Sequence, residues 1–345
     1  MAYVKKAIFA VAGAGKTTML VDSLSLAKRT LLLTYTDNNA ENLTTAVVRK
    51  FGRIPDNIMI STWFSFVFRF LLKPFEISTA PIITRLIFPQ GLLSRFDKGV
   101  SRYVSQSGEV FHARAFDFVL NYVGRDKIKN RLTKFFDEIL IDEVQDFAGY
   151  DFDFIEMLGS TDVNVVLTGD FFQHTYDTSR DGTKNKNLHK DFMSYQTALA
   201  KQYQIDRSTL SKSYRCPAVV CDFVHEKIGI DIGSFSCRTD VDYPALLTAT
   251  EDIQRIMNSD SIMKLFFKEH RQYSCRSANW GQCKGLSFDN VCVVLNKKTS
   301  GLFQKGRLNM LVASTLNKFY VACTRTRGNL YFVNESEIAD YMVGV

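Results

Sequence analysis

The chain has 345 residues, of which 46% are hydrophobic and 23% are charged, and its formal net charge is +7. This composition indicates a globular protein long enough for two α/β domains. No apolar stretch approaches the ~20 residues that a membrane-spanning helix needs, so we expect no membrane segment and no membrane partner. The positive charge suits an anionic partner, but a charge of this size does not identify one.

The N-terminal residues 1–16 place basic side chains before an apolar run, as a signal peptide does. Because that run is short and leads directly into a Gly-rich segment, we expect no export and a cytoplasmic protein. The seven cysteines all follow Arg215, and none forms a CxxC pair. Free thiols are therefore the favoured interpretation, and a metal or iron–sulfur site that uses four of them is the alternative.

The first motif is AVAGAGKTT at residues 10–18, which follows an apolar run and opens a segment predicted to be helical as far as Lys28. A strand, a Gly-rich turn and a helix start form an anion site, because the first N–H groups of a helix have no partner inside it. The side chain of Lys16 can reach the β- and γ-phosphates, and the Thr17 hydroxyl can bind Mg²⁺. The alternative is a Gly-rich turn with a chance lysine. We expect a nucleotide site formed by Ala12, Gly13, Ala14, Gly15, Lys16, Thr17 and Thr18.

A continuous apolar run at Thr30–Tyr35 predicts a buried strand. Short polar side chains stand at its carboxyl end, which is where open α/β sheets bind ligands. A helix is predicted from about Asn39 to Phe51, and a strand at Ile58–Ser61. In the segment STWFS that follows, Trp63 and Phe64 are either core residues or platforms on which nucleobases stack.

Residues 73–136 interrupt the β–α alternation and hold eleven Lys and Arg against five Asp and Glu. The aromatic residues among them include Tyr103, Phe111, Phe116 and Tyr122. One interpretation is a solvated, mostly helical insertion with its own small core. The other is a surface that follows a nucleic-acid backbone, because Lys and Arg release counterions when they neutralise phosphates. The sequence does not decide between the two.

Two further motifs follow predicted strands. Asp142 ends a predicted strand at Glu138–Asp142, and a carboxylate in this place is expected to hold Mg²⁺ beside a phosphate loop. Glu143 is expected to orient and deprotonate the attacking water. A strand at Asn164–Thr168 leads to Gln173, whose amide can hydrogen-bond the γ-phosphate or the water without a change of charge.

The second half of the chain supplies cations and one aromatic candidate. In the segment LSKSYRCP, Tyr214 offers a flat face for a base, and Arg215 offers a planar set of donors for phosphate. Lys284 precedes a predicted buried strand, and a predicted helix near the end carries Arg325 and Arg327. An arginine on a separate domain that faces the γ-phosphate would stabilise transition-state charge only when the domains close.

Taken in order, these segments resemble the motifs of UvrD/Rep-type superfamily 1 helicases. The series is AVAGAGKTT, TYTDNNAENL, STWFS, LIDEVQD, LTGDFFQHTY, LSKSYRCP, KGLSFDNV and YVACTRTR, and it extends from Ala10 to Arg327. The resemblance implies an α/β fold of two RecA-like P-loop domains with parallel β-sheets flanked by helices. It implies an N-terminal domain at 1–204 with the insertion at about 73–136, and a C-terminal domain at 205–345 with a small insertion at about 230–274.

The resemblance also assigns roles to individual residues, and Tyr214 would stack on adenine. The catalytic positions, with Thr17 and Asp142 as metal ligands, fall on Lys16, Thr17, Asp142, Glu143, Gln173, Arg215 and Arg325. The single-strand contacts of the family fall on Thr36, Asn38, Thr62, Trp63, Tyr176 and Lys284. No Gln precedes Ala10 in this sequence, so the element with which the family reads adenine is missing.

The function that the resemblance implies is an ATP- and Mg²⁺-dependent translocase or helicase that moves 3′ to 5′ on single-stranded DNA or on a duplex with a tail. The two insertions are smaller than those that build the accessory subdomains of the family. We therefore expect a protein partner, such as a nuclease, to work with the chain. The alternative is a DNA-sensing ATPase that regulates a partner effector, for example in phage defence, without substantial unwinding.

Overall fold

The computed structural model describes residues 3–75, 82–89, 93, 96–175 and 184–342. The chain has a mixed α/β fold with parallel strand pairs flanked by helices, as predicted. It divides into two compact units, which we call the first and the second unit. The first contains Met1–Ile8, Lys16–Gly169 and Tyr176–Asp206, and the second contains Phe9–Gly15, Asp170–Thr175 and Arg207–Val345. Two short segments that precede residue 205, Phe9–Gly15 and Asp170–Thr175, belong to the second unit. The predicted domain boundary between residues 204 and 205 therefore stays a prediction.

The largest sheet has six strands in the order β3-β2-β6-β7-β1-β8, and β4 pairs with β5 in a separate sheet. These strands are β1 (Lys5–Ala10), β2 (Thr30–Thr34), β3 (Ile58–Thr62), β4 (Arg85–Ile87), β5 (Glu109–Phe111), β6 (Glu138–Ile141), β7 (Asn164–Gly169) and β8 (Gln204–Leu210). The pairs β2–β3, β2–β6 and β6–β7 are parallel. Parallel neighbours need crossover connections, which helices supply.

The helices of this part of the chain lie between the strands. They are α1 (Lys16–Asp22), α2 (Asp37–Phe51), α3 (Trp63–Phe66, continued by a π-helix at Val67–Leu72), α4 (Ala115–Tyr122), α5 (Arg125–Phe135), α6 (Phe152–Gly159) and α7 (Phe192–Ala200). α1 ends well before the predicted end at Lys28. The Ser23 hydroxyl donates to the carbonyl of Leu20 at 2.7 Å, which is the kind of local bond that competes with helix continuation.

β2 is buried along its whole length, as expected for a parallel strand covered on both faces. One cluster of the core around it is formed by Leu20, Val21, Leu24, Leu32, Leu43, Val47, Ile58 and Leu140. α2 begins where the Thr36 hydroxyl accepts a hydrogen bond from the backbone N–H of Asn39, and it ends at Gly52 in a left-handed conformation. The cap at Thr36 fixes the polar segment that follows β2 at the carboxyl edge of the sheet.

Residues 73–136 contain two paired strands that were not predicted, β4 and β5, in addition to helices. Strands of three residues are too short to produce a recognisable period-two pattern. Tyr103 stacks on Phe118 at a centroid distance of 5.4 Å, and Phe116 packs against Trp63 at 5.5 Å. Tyr103 and Phe116 therefore serve a core and not an exposed nucleic-acid surface.

The second unit contains a five-stranded sheet in the order β11-β15-β14-β12-β13, in which all neighbours are parallel. Its strands and the nearby pair β9–β10 are β9 (Lys212–Ser213), β10 (Gly233–Ser234), β11 (Ala245–Leu246), β12 (Ile262–Phe266), β13 (Ser277–Asn279), β14 (Asn290–Leu295) and β15 (Leu330–Asn334). Its helices are α8 (Ala218–Phe223, continued by a π-helix at Val224–Ile228), α9 (Thr250–Asn258), α10 (Lys297–Gln304) and α11 (Ala313–Cys323).

The predicted insertion at about 230–274 is smaller than expected. β11 and β12 lie within this range, yet both belong to the five-stranded sheet. α9 packs on the same sheet through Ile253, Ile256 and Met257, which share a core cluster with Cys292 of β14. β11, α9 and β12 are therefore part of the fold of the second unit and not an addition to it.

The predicted helix near the end of the chain does not carry Arg325 and Arg327. α11 ends at Cys323, so both arginines follow it. A continuing helix would offer the Val321 carbonyl to the backbone N–H of Arg325. That carbonyl accepts instead from Nε of Arg325 at 3.0 Å, and the Arg325 N–H bonds the carbonyl of Ala322. None of the helices in the described part of the chain is both long and apolar enough to cross a membrane.

Candidate active site

The first unit brings together four of the predicted catalytic and metal-binding residues. The Thr17 hydroxyl lies 3.1 Å from Oδ2 of Asp142, and Nζ of Lys16 lies 3.5 Å from Oε1 of Glu143. α1 begins at Lys16, directly after the Gly-rich turn, and Asp142 directly follows β6. A helix start and the end of a buried parallel strand thus place the carboxylates of Asp142 and Glu143 beside the side chains of Lys16 and Thr17.

Asp142 is buried, and its carboxylate accepts three hydrogen bonds. Oδ2 accepts from the Thr17 hydroxyl. Oδ1 accepts from the Thr168 hydroxyl at 3.2 Å and from the backbone N–H of Glu143 at 3.0 Å. Burial, and next the charge of Glu143, raise the pKa of Asp142 to about 6. A cation near both carboxylates would offset this repulsion.

Glu143 has a left-handed backbone conformation, with φ 58 and ψ 44. This conformation costs a non-glycine residue about 1–2 kcal/mol, and such strain clusters at functional sites. The Gln145 side chain is fully buried and donates a hydrogen bond through Nε2 to Oε2 of Glu143. The turn after β6 therefore holds one carboxylate oxygen at Gln145 and turns the other toward Lys16.

The Thr17 and Asp142 side chains fit the kind of Mg²⁺ site that P-loop proteins use. Such a site takes few ligands from the protein and completes its shell with phosphate oxygens and water. All seven cysteines are free thiols. Within the described ranges, no group of three or more His, Cys, Asp or Glu side chains could hold a metal ion by itself. A metal at Thr17 and Asp142 would thus depend on a nucleotide for its remaining ligands.

In the second unit, the Gly-rich turn lies against the segment that contains Tyr214 and Arg215. Gly13 has φ +72, and a Cβ on it would lie 2.7 Å from Cβ of Arg215. The backbone N–H of Tyr214 donates to the carbonyl of Gly13 at 2.9 Å. Both the conformation and the close approach therefore require glycine at residue 13.

Tyr214 is exposed, and its ring stacks on Phe235 with centroids 4.5 Å apart and planes inclined by 19°. Nζ of Lys212 lies 5.3 Å from the centre of the Phe235 ring. Stacking on one side leaves the other face of Tyr214 for a nucleobase. The contact with Phe235 also fixes the orientation of the ring.

Arg215 and Arg325 form a pair of cations in the second unit, and Arg325 is fully buried. Nη1 of Arg215 donates to the carbonyl of Thr324 at 3.1 Å, and Nη2 of Arg325 donates to Oε1 of Gln173 at 3.2 Å. Among the residues that the structure describes, both guanidinium groups contact only neutral acceptors. Burial, and next the positive charge of Arg325, lower the pKa of Arg215 to about 10. An anion would stabilise this pair.

Sequence reasoning missed the polar residues that hold these side chains in place. They are Gln145, Thr168, Asp170 and Tyr320. Gln145 and Asp170 stand inside the DEVQD and GDFFQ motifs, so their position after buried strands was a usable signal. Tyr320 lies in an apolar helical stretch, and no local pattern distinguishes it from a core aromatic.

The expected single-strand contacts lie in different surroundings. Thr36 and Asn38 are exposed and follow β2, whereas Thr62 is half-buried at the end of β3. Thr62 pairs with Thr34, so these residues stand at the same edge of the sheet. Lys284 is half-buried in the second unit. Tyr176 lies outside the described residues.

Trp63 does not have the surroundings of a nucleic-acid contact. It is fully buried, and its ring packs against Phe116, Phe147 and Phe154 at centroid distances of 5.5, 5.1 and 4.8 Å. A nucleobase cannot stack on a ring that other rings enclose. The expected role of Trp63 is therefore wrong for this structure, and the residue belongs to the core. Phe64 is half-buried.

Comparison with solved structures gives remote likenesses to viral helicases. The helicase of PRRSV is 13% identical over 98% of this chain and 54% of its own, with a TM-score of 0.48. An arterivirus nonstructural protein 10 (helicase), in a complex with DNA, is 14% identical over 96% of this chain and 61% of its own, with a TM-score of 0.48. The chain thus spans less than two thirds of the length of either protein. No curated protein matches it.

A comparison with protein families matches residues 109–334, more than half of the chain, to the viral superfamily 1 RNA helicase core domain. The matched range contains the segments DEVQD, GDFFQ, SYRCP and TRTR. This match confirms the superfamily 1 part of the resemblance, but it does not single out the UvrD/Rep type. The chain belongs to the family of viral superfamily 1 RNA helicase core domains.

Proposed function

We propose that this chain hydrolyses ATP with Mg²⁺ and uses the reaction to move along single-stranded nucleic acid. The observation that carries the proposal is the pair of Arg215 and Arg325, which contact only neutral acceptors in the described part of the chain. Arg215 also lies against Gly13 of the Gly-rich turn. A bound triphosphate supplies the negative charge that the pair lacks.

Each residue of the first unit has its own part in the hydrolysis. Lys16 neutralises charge on the β- and γ-phosphates. Glu143 accepts a proton from the attacking water, because its carboxylate is held at both oxygens. Bound Mg²⁺ would offset charge on the phosphates, and Thr17 and Asp142 would hold it.

The second unit contributes orientation and positive charge. The Gln173 amide orients the water or a γ-phosphate oxygen, and Arg325 holds that amide through Oε1. Arg325 and Arg215 stabilise the charge that develops on the phosphate oxygens in the transition state. Tyr214 stacks on the base with the face that Phe235 leaves uncovered.

The strand on which the chain moves contacts Thr36, Asn38, Thr62 and Lys284 in this proposal. The first three stand at one edge of a parallel sheet, and the net charge of +7 favours a phosphate backbone. A UvrD/Rep-type DNA motor, 3′-to-5′ movement and a nuclease partner are the finer expectations, and they stay proposals. Because the matching family is described as an RNA helicase core, RNA and DNA must be compared directly.

The test is steady-state hydrolysis of ATP with Mg²⁺, without nucleic acid and with single-stranded DNA or RNA of one sequence. We expect at least one of the two strands to stimulate turnover, and Lys16→Ala to weaken both ATP binding and turnover. A second assay follows movement of the chain along a labelled strand. Absence of hydrolysis in the parent protein would refute the proposal. Stimulated hydrolysis without movement would favour the nucleic-acid-sensing switch.

A further inference from the structure

We propose that Tyr320 is a positioning residue for hydrolysis, which links the Gly-rich turn to Asp170 and through Asp170 fixes the amide of Gln173. The inference rests on the proposed function, because it concerns the same reaction. All the residues that carry it belong to the second unit.

The hydroxyl of Tyr320 both accepts and donates a hydrogen bond. It accepts from the backbone N–H of Ala12 at 3.0 Å and donates to Oδ2 of Asp170 at 3.1 Å. The same Oδ2 accepts from Nε2 of Gln173 at 2.7 Å. Nη2 of Arg325 then donates to Oε1 of Gln173. A continuous line of hydrogen bonds therefore joins the Gly-rich turn to Arg325.

Donor and acceptor chemistry allows this line only one arrangement. A carboxylate only accepts and a guanidinium only donates, so Gln173 must turn Nε2 to Asp170 and Oε1 to Arg325. The Ala12 N–H can only donate, which leaves the Tyr320 proton for Asp170. Burial, and next the charge of Asp170, raise the pKa of Tyr320 well above its ordinary value, so the hydroxyl keeps its proton.

The line is shielded from water along its length. Ala12 and Tyr320 are fully buried, and Asp170 and Gln173 are nearly so. A hydrogen bond lost in such surroundings is not replaced by one to water, so the remaining groups must move or stay unsatisfied. The loss of one hydroxyl should thus shift Asp170 and, with it, the Gln173 amide.

A second contact from α11 holds the backbone of the segment after β7 without the help of the Tyr320 hydroxyl. Asn317, one turn before Tyr320 on α11, donates through Nδ2 to the carbonyl of His174 at 2.9 Å. α11 therefore holds the backbone of the segment after β7 even when the Tyr320 hydroxyl is absent. The hydroxyl acts on the Asp170 and Gln173 side chains, and its removal tests orientation with the segment still in place.

The test variant is Tyr320→Phe, which keeps the ring and removes the hydroxyl. We expect kcat for ATP to fall about tenfold to a hundredfold, because a misplacement of about 1 Å in a positioned group has an effect of that size. The KM for ATP should change little, since the variant leaves Lys16 and its bond partners intact. The matched control is Tyr203→Phe, which removes another buried hydroxyl. That hydroxyl donates to the carbonyl of Ile155 at 2.6 Å. The control variant should keep the parental kcat.

A double variant separates positioning from a loss of stability. In the background of Gln173→Ala, the change Tyr320→Phe should lower kcat little further, because residues that act as one unit are not additive. Losses that multiply in the double variant, or a parental kcat in Tyr320→Phe alone, would overturn the inference. An equal loss of kcat in Tyr203→Phe would overturn it as well.

Hydrogen exchange of the Ala12 amide gives a readout that does not depend on activity. Exchange should become faster in Tyr320→Phe and stay unchanged in Tyr203→Phe, because only the first variant removes the acceptor of that amide. Unchanged exchange in both variants would remove the link to the Gly-rich turn. A parent protein without ATP hydrolysis would instead refute the proposed function, and the exchange experiment would still decide whether the link exists.

Discussion

Glu143 and Asp142 are adjacent carboxylates with different surroundings. Both oxygens of Asp142 are taken by the Thr17 and Thr168 hydroxyls and a backbone N–H. Glu143 is held by the Gln145 amide on one oxygen and lies 3.5 Å from the Lys16 ammonium with the other. A proton acceptor must be fixed in direction, and the contacts with Gln145 and Lys16 fix the Glu143 carboxylate. These surroundings favour Glu143 as the base and Asp142 as the metal ligand.

We therefore predict that Glu143→Gln keeps ATP binding nearly intact and lowers turnover by ~10²-fold or more, as the loss of a positioned base does. The glutamine carbonyl can still accept from Gln145, so the turn after β6 should remain. Binding is measured by titration with a fluorescent ATP analogue, and turnover by phosphate release. Parental turnover in this variant would show that another group is the base.

The hydrogen bonds of Arg325 require the shape of an arginine side chain and not only its positive charge. Its Nε donates to the carbonyl of Val321 at 3.0 Å while Nη2 donates to Gln173. A lysine keeps the charge but lacks the planar fork, so it has no separate nitrogens at the positions from which Nε and Nη2 donate. The identity of the cation therefore matters here as well as its charge.

We predict that Arg325→Lys lowers ATP turnover by about 10²-fold or more with little change in single-strand binding, since arginines at this kind of site act on transition-state charge. Arg327→Lys is the matched control, because Arg327 is two residues away and exposed. Normal basal turnover with weakened strand binding would move Arg325 from the hydrolysis site to the nucleic-acid track.

Single motif residues were predictable from the sequence when their chemistry depended on neighbours in the chain. Lys16 follows a Gly-rich turn and Asp142 follows a buried strand, and local patterns identify both. The roles of Trp63 and Tyr320 depend on residues far away in the chain. Trp63 is enclosed by rings from α4, α6 and the turn after β6, and Tyr320 bonds Ala12 and Asp170. No pattern within one segment contains that information.

At the scale of elements, strand predictions agree with the structure within about a residue at each end, for example at β2, β3 and β7. β2 is buried along its whole length and β7 over most of it, and the continuous apolar runs of such parallel strands are a strong signal. Predictions of helix ends were poorer, since α1 ends where the Ser23 hydroxyl bonds the backbone and α11 ends where the Arg325 guanidinium does. A serine or threonine hydroxyl can face solvent within a helix, or it can bond the backbone where a helix ends. The sequence does not distinguish these two cases.

The turn between β1 and α1 offers a test at this scale. Gly13 has a positive φ, and a Cβ would lie 2.7 Å from Cβ of Arg215 and 2.8 Å from Oγ of Ser213. Gly52, at the end of α2, has a similar φ of +75 with nothing within 4 Å of an added Cβ. The two glycines share backbone strain and differ in the space around them.

We predict that Gly52→Ala lowers the free energy of unfolding by about 1–2 kcal/mol, the cost of a left-handed alanine. Gly13→Ala should cost a further 1–3 kcal/mol, roughly the effect of overpacking, and should weaken ATP binding about tenfold or more. Urea unfolding and ATP titration measure the two quantities. Equal stabilities and unchanged ATP affinity in the two variants would show that the turn is not packed as described.

At the scale of the whole molecule, the size and charge of the two predicted insertions affect how the chain would act on duplexes. β11 and β12 lie in the range at about 230–274 and belong to the five-stranded sheet, and α9 packs on it, so the described second unit has little chain there for an accessory subdomain. Residues 73–136 carry the larger excess of positive charge, with eleven Lys and Arg against five Asp and Glu. Exposed basic side chains of this range can hold phosphates, but holding a backbone does not by itself separate strands.

We predict that the purified chain moves on single strands and unwinds duplexes weakly. Opening a base-pair step costs ~1.4 kcal/mol on average, and a motor without a firm grip on the duplex ahead loses that energy each time the strands re-form. The measurement is strand separation of tailed duplexes of about ten and of several tens of base pairs, beside a translocation assay on the same tail. We expect movement on the tail, separation of the short duplex and little separation of the long one, with Lys16→Ala inactive in all three. Fast, processive separation of the long duplex by the monomer would contradict the prediction and remove the argument for a protein partner.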